Sequence, residues 1–221
     1  MSSGGNGGAD GWGTVRLCCV TARYFTRGEH VATGESRKKE LRMLFMRCGI
    51  AGDTYYADMS DAVFAEVMRN FGLDHNDPLY RAYAGQRAAG AEEFARAVSD
   101  ELQSVVSPEE LHLLALAHNF DSGMWLPCEL VAHPCCDAAT ALLLYWSLQP
   151  DYIYTRYGSP AEVPADDFLA GAARVLHSIE ERIQAGTFAA VLPRPDLGDF
   201  GQGGHNYAFP PLSGIPAALR I

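Results

Sequence analysis

Residues 107–146 read SPEELHLLALAHNFDSGMWLPCELVAHPCCDAATALLLYW, and this stretch decides the fold of the chain. Its Ser-Pro-Glu-Glu start predicts a helix over Pro108–Ala117, because the Ser107 hydroxyl can accept a backbone N–H three residues on while Glu110 reaches back. Further along, Asp137 is expected to cap a helix over Ala138–Leu148. That second helix is apolar on every face, so we expect it to be buried at the centre of the C-terminal half.

Helical periodicity extends over most of the remaining chain. Apolar residues at every third or fourth position predict helices over Ser36–Cys48, Ser60–Phe71, Leu79–Ala88, Ala91–Val106, Pro127–Ala132 and Pro164–Ala185. The aromatic segment Asp151–Gly158 is expected to be irregular or a short strand, and Val15–Phe25 is expected to be a strand. The sequence therefore predicts a mainly α fold. Its C-terminal half resembles a helical bundle, and a small β element is possible near the N-terminus.

The chain divides into four parts by composition. Residues 1–13 are rich in glycine, serine and asparagine and are expected to form a flexible tail. Residues 14–106 are predicted to be a mostly helical N-terminal region, and residues 107–192 a helical domain. Residues 193–221 are rich in proline and glycine, and we expect them to lie extended over the surface.

Negative charge is concentrated in the C-terminal half. The net charge is −10, and residues 107–221 carry 5 Lys and Arg against 13 Asp and Glu. Such a field repels nucleic acid and anionic membranes and attracts basic partners. The predicted helix Ser36–Cys48 carries one basic patch, which could be a solvated face or could bind phosphate, nucleic acid or the acidic half of the chain itself. One patch on an acidic chain argues against nucleic-acid binding.

Location and redox state follow from what the sequence lacks. The N-terminal residues show no charged start followed by an apolar core, which a secretory signal requires. No apolar run reaches the roughly 18 residues needed to span a bilayer. We therefore expect a cytoplasmic protein, without a membrane partner, whose six cysteines are reduced.

Histidines and cysteines are dense between residues 112 and 137, which raises the hypothesis of a zinc site or a catalytic thiol. The candidates are His112, His118, Asp121, Cys128, His133, Cys135 and Cys136. Zinc ligands usually come in close pairs, whereas His112 and His118 lie six positions apart and face different sides of a helix. Cys128, expected in the first turn of a helix, could pair with His133 or His118 as a nucleophile. The spacing favours buried cysteines and ordinary histidines, so we predict no catalytic residue, no metal and no cofactor.

A group of aromatic and acidic residues follows the same stretch. Tyrosine and tryptophan beside carboxylates are typical of protein-binding faces that receive arginine or lysine. The alternative is a tyrosine-rich edge of the core, which would also take in Tyr145, Trp146 and Tyr157. The predicted partner-binding residues are Asp121, Trp125, Asp151, Tyr152, Tyr154, Asp166 and Asp167.

The strings NFDSG, at residues 119–123, and HPCCDAATALLLYW, at residues 133–146, resemble a bacterial domain of unknown function. That family's pattern runs Asn-Trp-Asp-Asp-Gly and continues with His-Pro-x-Cys-Asp-x-Gly-Thr-Ala-Leu-Leu-x-Phe-Trp. The chain departs from it at Phe120, Ser122, Ala139 and Tyr145. The resemblance covers roughly residues 107–192 and implies a compact helical domain. The family has no established activity, so the resemblance implies no catalytic residues.

These observations lead to one expected function and one alternative. We expect a non-enzymatic protein that binds another protein, and more specifically a cytoplasmic immunity protein, similar to an antitoxin, that occludes a basic toxin or effector. The alternative is a metal- or cysteine-dependent enzyme that uses the cluster between residues 112 and 137.

Overall fold

The computed structural model describes residues 34–120, 123–194 and 214–219. These residues form α-helices joined by short turns, without a β-strand, so the predicted mainly α fold is confirmed. The helices are α1 (Glu35–Gly52), α2 (Asp61–Asn70), α3 (Pro78–Ala89), α4 (Ala91–Leu102), α5 (Pro108–Ala117), α6 (Trp125–Ala132), α7 (Ala138–Ser147), α8 (Pro150–Tyr157) and α9 (Ala170–Gln184). Short 3₁₀ turns span Pro160–Glu162 and Ala217–Leu219. The predicted tail 1–13 and the predicted strand Val15–Phe25 lie outside the described residues.

Helix α7 is the centre of the C-terminal half, as its all-round apolar sequence predicts. Every residue from Ala139 to Trp146 is buried. The Asp137 side chain caps the helix, with Oδ1 accepting the Ala139 N–H at 2.7 Å. Helices α5 and α9 pack against it. A helix buried on all sides has no polar face to present, which is why its sequence shows no amphipathic stripe.

The start of α5 confirms one half of the predicted capping box and corrects the other. The Ser107 Oγ accepts the Glu110 N–H at 3.4 Å. The Glu110 carboxylate, however, does not reach back to the cap. It receives two hydrogen bonds from Arg37 on α1, at 2.9 Å from Nε and 2.8 Å from Nη2. A guanidinium that offers two charged donors is a stronger partner than one backbone N–H.

This ion pair predicts a measurable cost for its disruption. Glu110 is 8% exposed, so Arg37→Met would leave a buried carboxylate without its cation. We expect the free energy of unfolding to fall by about 2 kcal/mol, below the usual value for a buried pair because Arg37 is partly solvated. Urea unfolding followed by circular dichroism measures it. The double variant Arg37→Met, Glu110→Leu should recover most of the loss, and an equal loss in both variants would contradict the pairing.

Helix α1 is longer than predicted, because Gly49 does not end it. It continues to Gly52, and Ile50 and Ala51 are buried. The fully buried Gln86 of α3 donates from Nε2 to the carbonyls of Ile50 and Asp53, at 2.8 and 2.9 Å. Carbonyls at a helix end otherwise need solvent or a cap. Satisfying them from α3 allows the helix to extend past the glycine.

The prediction for Asp151–Gly158 is wrong, because this segment is helix α8. Pro150 occupies the first turn, where its missing N–H costs nothing. Gly158 ends the helix with a φ of +87°, a conformation that glycine adopts without strain. Ile153 is buried, which ties the helix to the core. Burial of this face outweighs the strand preference of the aromatic residues.

Three other helix bounds also differ. Helix α4 ends at Leu102 rather than Val106, and α6 begins at Trp125, two residues before Pro127. Helix α9 begins at Ala170 rather than at Pro164. For α9 the reason is local, because the Asp167 Oδ1 accepts the Leu169 N–H at 2.8 Å and closes a turn ahead of the helix.

One hydrophobic core runs through both halves of the described chain. Helix α1 contacts α3 and α4 of the N-terminal region and also α5 and α6. Its buried face includes Leu41, Leu44 and Phe45. Within the proline- and glycine-rich C-terminal part, predicted to be a surface segment, residues 214–219 place Ile215 and Leu219 in this core.

Candidate functional site

The histidines of the dense segment have separate surroundings. The Nδ1 of His112 lies 2.9 Å from the Thr140 hydroxyl, whereas the Nδ1 of the buried His133 accepts the Cys135 N–H at 3.0 Å. His118 packs edge-to-face on Phe120, with ring centroids 4.8 Å apart. Among the residues that the structure describes, no three His, Cys, Asp or Glu side chains are grouped to hold a metal ion.

Two cysteines of this segment, Cys128 and Cys136, lack the electrostatic surroundings of a nucleophile. Burial raises the pKa of the Cys128 thiol, and it raises the pKa of Cys136 to about 12. A catalytic thiol requires the opposite shift, since the thiolate is the reactive form. The position of Cys128 in the first turns of α6 does not offset its burial. The geometry therefore gives no support to the thiol hypothesis at Cys128.

Asp137 is fully buried and connects two distant parts of the chain. Its Oδ1 caps α7, and its Oδ2 accepts the N–H groups of Val191 and Leu192 at 2.6 and 3.3 Å. The Ala138 N–H donates to the Ala189 carbonyl at 2.8 Å beside it. One carboxylate thus holds the segment after α9 against the start of α7. All of its described bonds are structural.

A second buried carboxylate, Glu180 of α9, holds two tyrosines. Its Oε1 accepts the hydroxyls of Tyr145 and Tyr154 at 2.6 and 2.9 Å. Burial raises the pKa of both tyrosines, and the Glu180 carboxylate raises them further. Both hydroxyls therefore remain protonated donors at neutral pH. Tyr154, predicted to bind a partner, directs its hydroxyl inward to this carboxylate.

The other aromatic residues of α8 form a connected surface with the turn before α9. The Arg156 Nη1 donates to the Tyr152 hydroxyl at 3.0 Å, and its guanidinium lies 5.1 Å from the centre of the Tyr157 ring. The Tyr157 hydroxyl donates to the Asp167 Oδ2 at 2.6 Å. We call this surface the aromatic-acidic patch, and it comprises Tyr152, Arg156, Tyr157, Asp166, Asp167 and Phe168.

Exposed apolar area and negative charge coincide in the aromatic-acidic patch. The Phe168 residue is 78% exposed and Tyr152 is 45% exposed. Asp166 and Asp167 directly precede Phe168, and the carboxylate of Glu162 lies against Gly158 at the end of α8. Arg156, the only basic residue between positions 150 and 170, is engaged by the two tyrosines. Phe168 and Tyr152 thus expose apolar area on the same surface as the Asp166 and Asp167 carboxylates, and exposed apolar patches with polar residues at their rim mark interaction sites.

The structure brings only some of the predicted partner-binding residues together. Tyr152, Asp166 and Asp167 belong to the aromatic-acidic patch, and Asp151 is half-buried in the first turn of α8. Trp125 is half-buried and packs against the core. Asp121 lies outside the described residues. Tyr145 and Trp146 are buried. For these two residues the structure agrees with the alternative interpretation, a tyrosine-rich edge of the core.

Sequence reasoning misses Phe168 and Arg156. The predicted helix over Pro164–Ala185 places Phe168 on its apolar stripe, whereas the turn at Asp167 turns that side chain to solvent. An Asp-Asp pair before the helical periodicity is the signal that could have located the turn, because aspartate favours such positions.

Comparison with known proteins identifies a domain and no named relative. Residues 106–184 match the family DUF4274, described as a domain of unknown function. No curated protein and no solved structure matches the chain. Of the helices described, none has the length and apolarity required to cross a membrane. The match begins just before the cap of α5 and ends with α9, so helices α5 to α9 of this chain form a DUF4274 domain.

Proposed function

We propose that this protein is a non-enzymatic binding protein whose aromatic-acidic patch docks on a basic face of another protein. The observation that carries the proposal is the exposed Phe168 on a surface ordered by hydrogen bonds and bordered by carboxylates. Aromatic side chains are frequent anchors of protein interfaces, and acidic neighbours select a basic partner.

The contacts within the patch favour binding because they keep it rigid. Arg156 bridges two tyrosine rings, and Tyr157 fixes the Asp167 carboxylate. Side chains that are already ordered lose less entropy on association. Burying a phenylalanine in a partner's pocket contributes about 2–3 kcal/mol, which makes Phe168 the largest apolar contribution of the patch.

The finer proposal is a cytoplasmic immunity protein, similar to an antitoxin, that neutralises a toxin by occlusion. Its support is the charge of the chain, since the half that carries the patch has 13 acidic and 5 basic residues. An acidic inhibitor gains association rate toward a basic target through electrostatic steering. Occlusion requires no catalytic group in the inhibitor.

Capture of the partner from cells of the source tests the proposal with matched variants. The tagged full chain, Phe168→Ser and Tyr55→Ser are compared, since Tyr55 is 72% exposed and lies outside the patch. We expect one stoichiometric basic protein to bind the unmodified chain and Tyr55→Ser, and about tenfold less of it to bind Phe168→Ser. Equal capture by all three would contradict the assignment of the patch.

Two further measurements separate the coarse proposal from the finer one. The association rate should fall as salt rises from about 0.05 to about 0.3 M, because steering is screened. A partner that stops growth when expressed alone, and not when expressed with this protein, would establish the immunity role. A captured partner without toxicity would leave protein binding in place and reject that role.

A further inference from the structure

Residues 214–219 pack on the DUF4274 domain, at a position that α7 and α8 form. The Trp146 Nε1 of α7 donates to the Leu219 carbonyl at 2.8 Å. Ile215 and Leu219 are buried, while Ala217 and Ala218 between them face solvent. We call the position that receives residues 214–219 the C-terminal seat, and Trp146 and Tyr154 are the side chains that define it.

The seat requires glycine at position 214. A Cβ added there would lie 2.4 Å from Cδ1 and 2.5 Å from Cε1 of the Tyr154 ring. The ring cannot yield cheaply, because Glu180 holds its hydroxyl at 2.9 Å and also holds Tyr145. The buried carboxylate thus fixes a flat aromatic surface over which only a backbone without a side chain can pass.

The contacts of residues 214–219 are those of a bound peptide. The segment carries no charge, and its contacts with the seat include apolar burial and the hydrogen bond from Trp146 to its backbone. It lies outside the family match, which ends at residue 184, and 19 residues separate it from Arg194. The seat, by contrast, is formed by α7 and α8, which lie within the match.

From these observations we infer that the C-terminal seat is a peptide-binding site, occupied in cis by residues 214–219 of the same chain. Its ligand class is a short uncharged peptide with glycine at the first position and large aliphatic residues at the second and sixth. The inference is independent of the proposed function, since the seat and the aromatic-acidic patch involve different side chains. A peptide of this class added in trans competes with the tethered segment.

The covalent link between residues 214–219 and the domain determines how strongly they exclude a free peptide. A linked segment experiences an effective concentration in the millimolar range, so a free peptide is largely excluded from an occupied seat. A substitution that weakens only the tethered segment should open the seat and strengthen the binding of free peptide. The direction is opposite to that of an ordinary destabilising substitution, which would weaken binding.

The test uses a fluorescent peptide of residues 212–221 and the full chain in three forms. These are the unmodified chain, Gly214→Ala and the control Ala217→Ser, which changes an exposed position of the same segment. Fluorescence anisotropy should show at least about tenfold tighter binding to Gly214→Ala than to the other two. A peptide that carries alanine in place of its own glycine should bind none of them.

The same experiment contains the results that would overturn the inference. The inference is wrong if Gly214→Ala has a native circular dichroism spectrum and binds the peptide no more tightly than the unmodified chain does. It is also wrong if the alanine peptide binds as tightly as the glycine peptide. If Gly214→Ala fails to fold, hydrogen exchange on the unmodified chain decides. The Leu219 N–H, bonded to the Pro216 carbonyl, should exchange by local opening well before the amides of α7. Exchange of both only through global unfolding would reject a detachable segment.

Discussion

Replacing Asp137 with alanine is expected to lower the free energy of unfolding by about 3 kcal/mol. The carboxylate is fully buried and accepts three backbone N–H groups, from Ala139, Val191 and Leu192. Alanine would remove the cap of the central helix α7 and the tie that holds the segment after α9. The buried Ala139 N–H would lose its partner, whereas the N–H of the exposed Val191 could turn to water, which limits the loss.

Urea unfolding with circular dichroism measures this effect, and Ser60→Ala provides the matched control. Ser60 caps α2 through one exposed hydrogen bond, to the Val63 N–H at 3.4 Å, so its loss should cost about 1 kcal/mol or less. Asp137→Asn should fall between the two, because its oxygen can still cap α7 while its amide meets donors. Similar costs for Asp137→Ala and Ser60→Ala would show that the tie to residues 191 and 192 contributes nothing.

Acidification is expected to destabilise the fold through histidines that are wholly or partly buried. Burial lowers the pKa of His118 from 6.5 to about 4, and it also lowers the pKa of His112 and His133. Between pH 6.5 and about pH 4, the unfolded chain binds a proton on His118 that the folded chain does not bind. Stability is therefore full above pH 6.5 and declines as the pH falls toward 4. For His118 the loss between pH 7.5 and 4.5 is about 2.5 kcal/mol.

The measurement is the free energy of unfolding at several pH values between 7.5 and 4.5. His118→Gln removes the titrating group. Whatever this substitution does to stability at pH 7.5, it should reduce the loss of unfolding free energy between pH 7.5 and 4.5 by about 2.5 kcal/mol. His177→Gln changes an exposed histidine on α9 and is the matched control. Parallel curves for His118→Gln and the unmodified chain would contradict a proton-linked role for His118.

The parts of the fold that are predictable from sequence depend on neighbouring residues. Ser107 and Asp137 cap helices through bonds that span two or three residues, and the apolar run of α7 requires burial whatever surrounds it. Helix α8 is the counter-example. Its aromatic composition favours a strand, and the burial of Ile153 that decides for a helix depends on elements far along the chain.

Contacts between distant residues also decide the ion pair of Glu110 and the exposure of the aromatic-acidic patch. The Glu110 carboxylate is satisfied by Arg37, 73 residues away, which no local pattern reveals. The exposure of Phe168 depends on the turn that Asp167 forms, and Tyr157, ten residues earlier, holds that carboxylate in place. A sequence shows that tyrosines and aspartates are present in this region. Which of them face solvent is set by tertiary contacts.

The contacts of α1 also constrain how the chain emerges during synthesis. Helix α1 ends at Gly52, yet its apolar face is completed by α4, which ends at Leu102, and by α6, which ends at Ala132. At ribosomal speeds of roughly 5–20 residues per second, about 80 further residues take some 4–16 s. Throughout that interval Leu41, Leu44 and Phe45 lack part of their final cover. The nascent N-terminal region therefore exposes apolar helix surface until α6 has been synthesised, which lengthens the time in which it can aggregate.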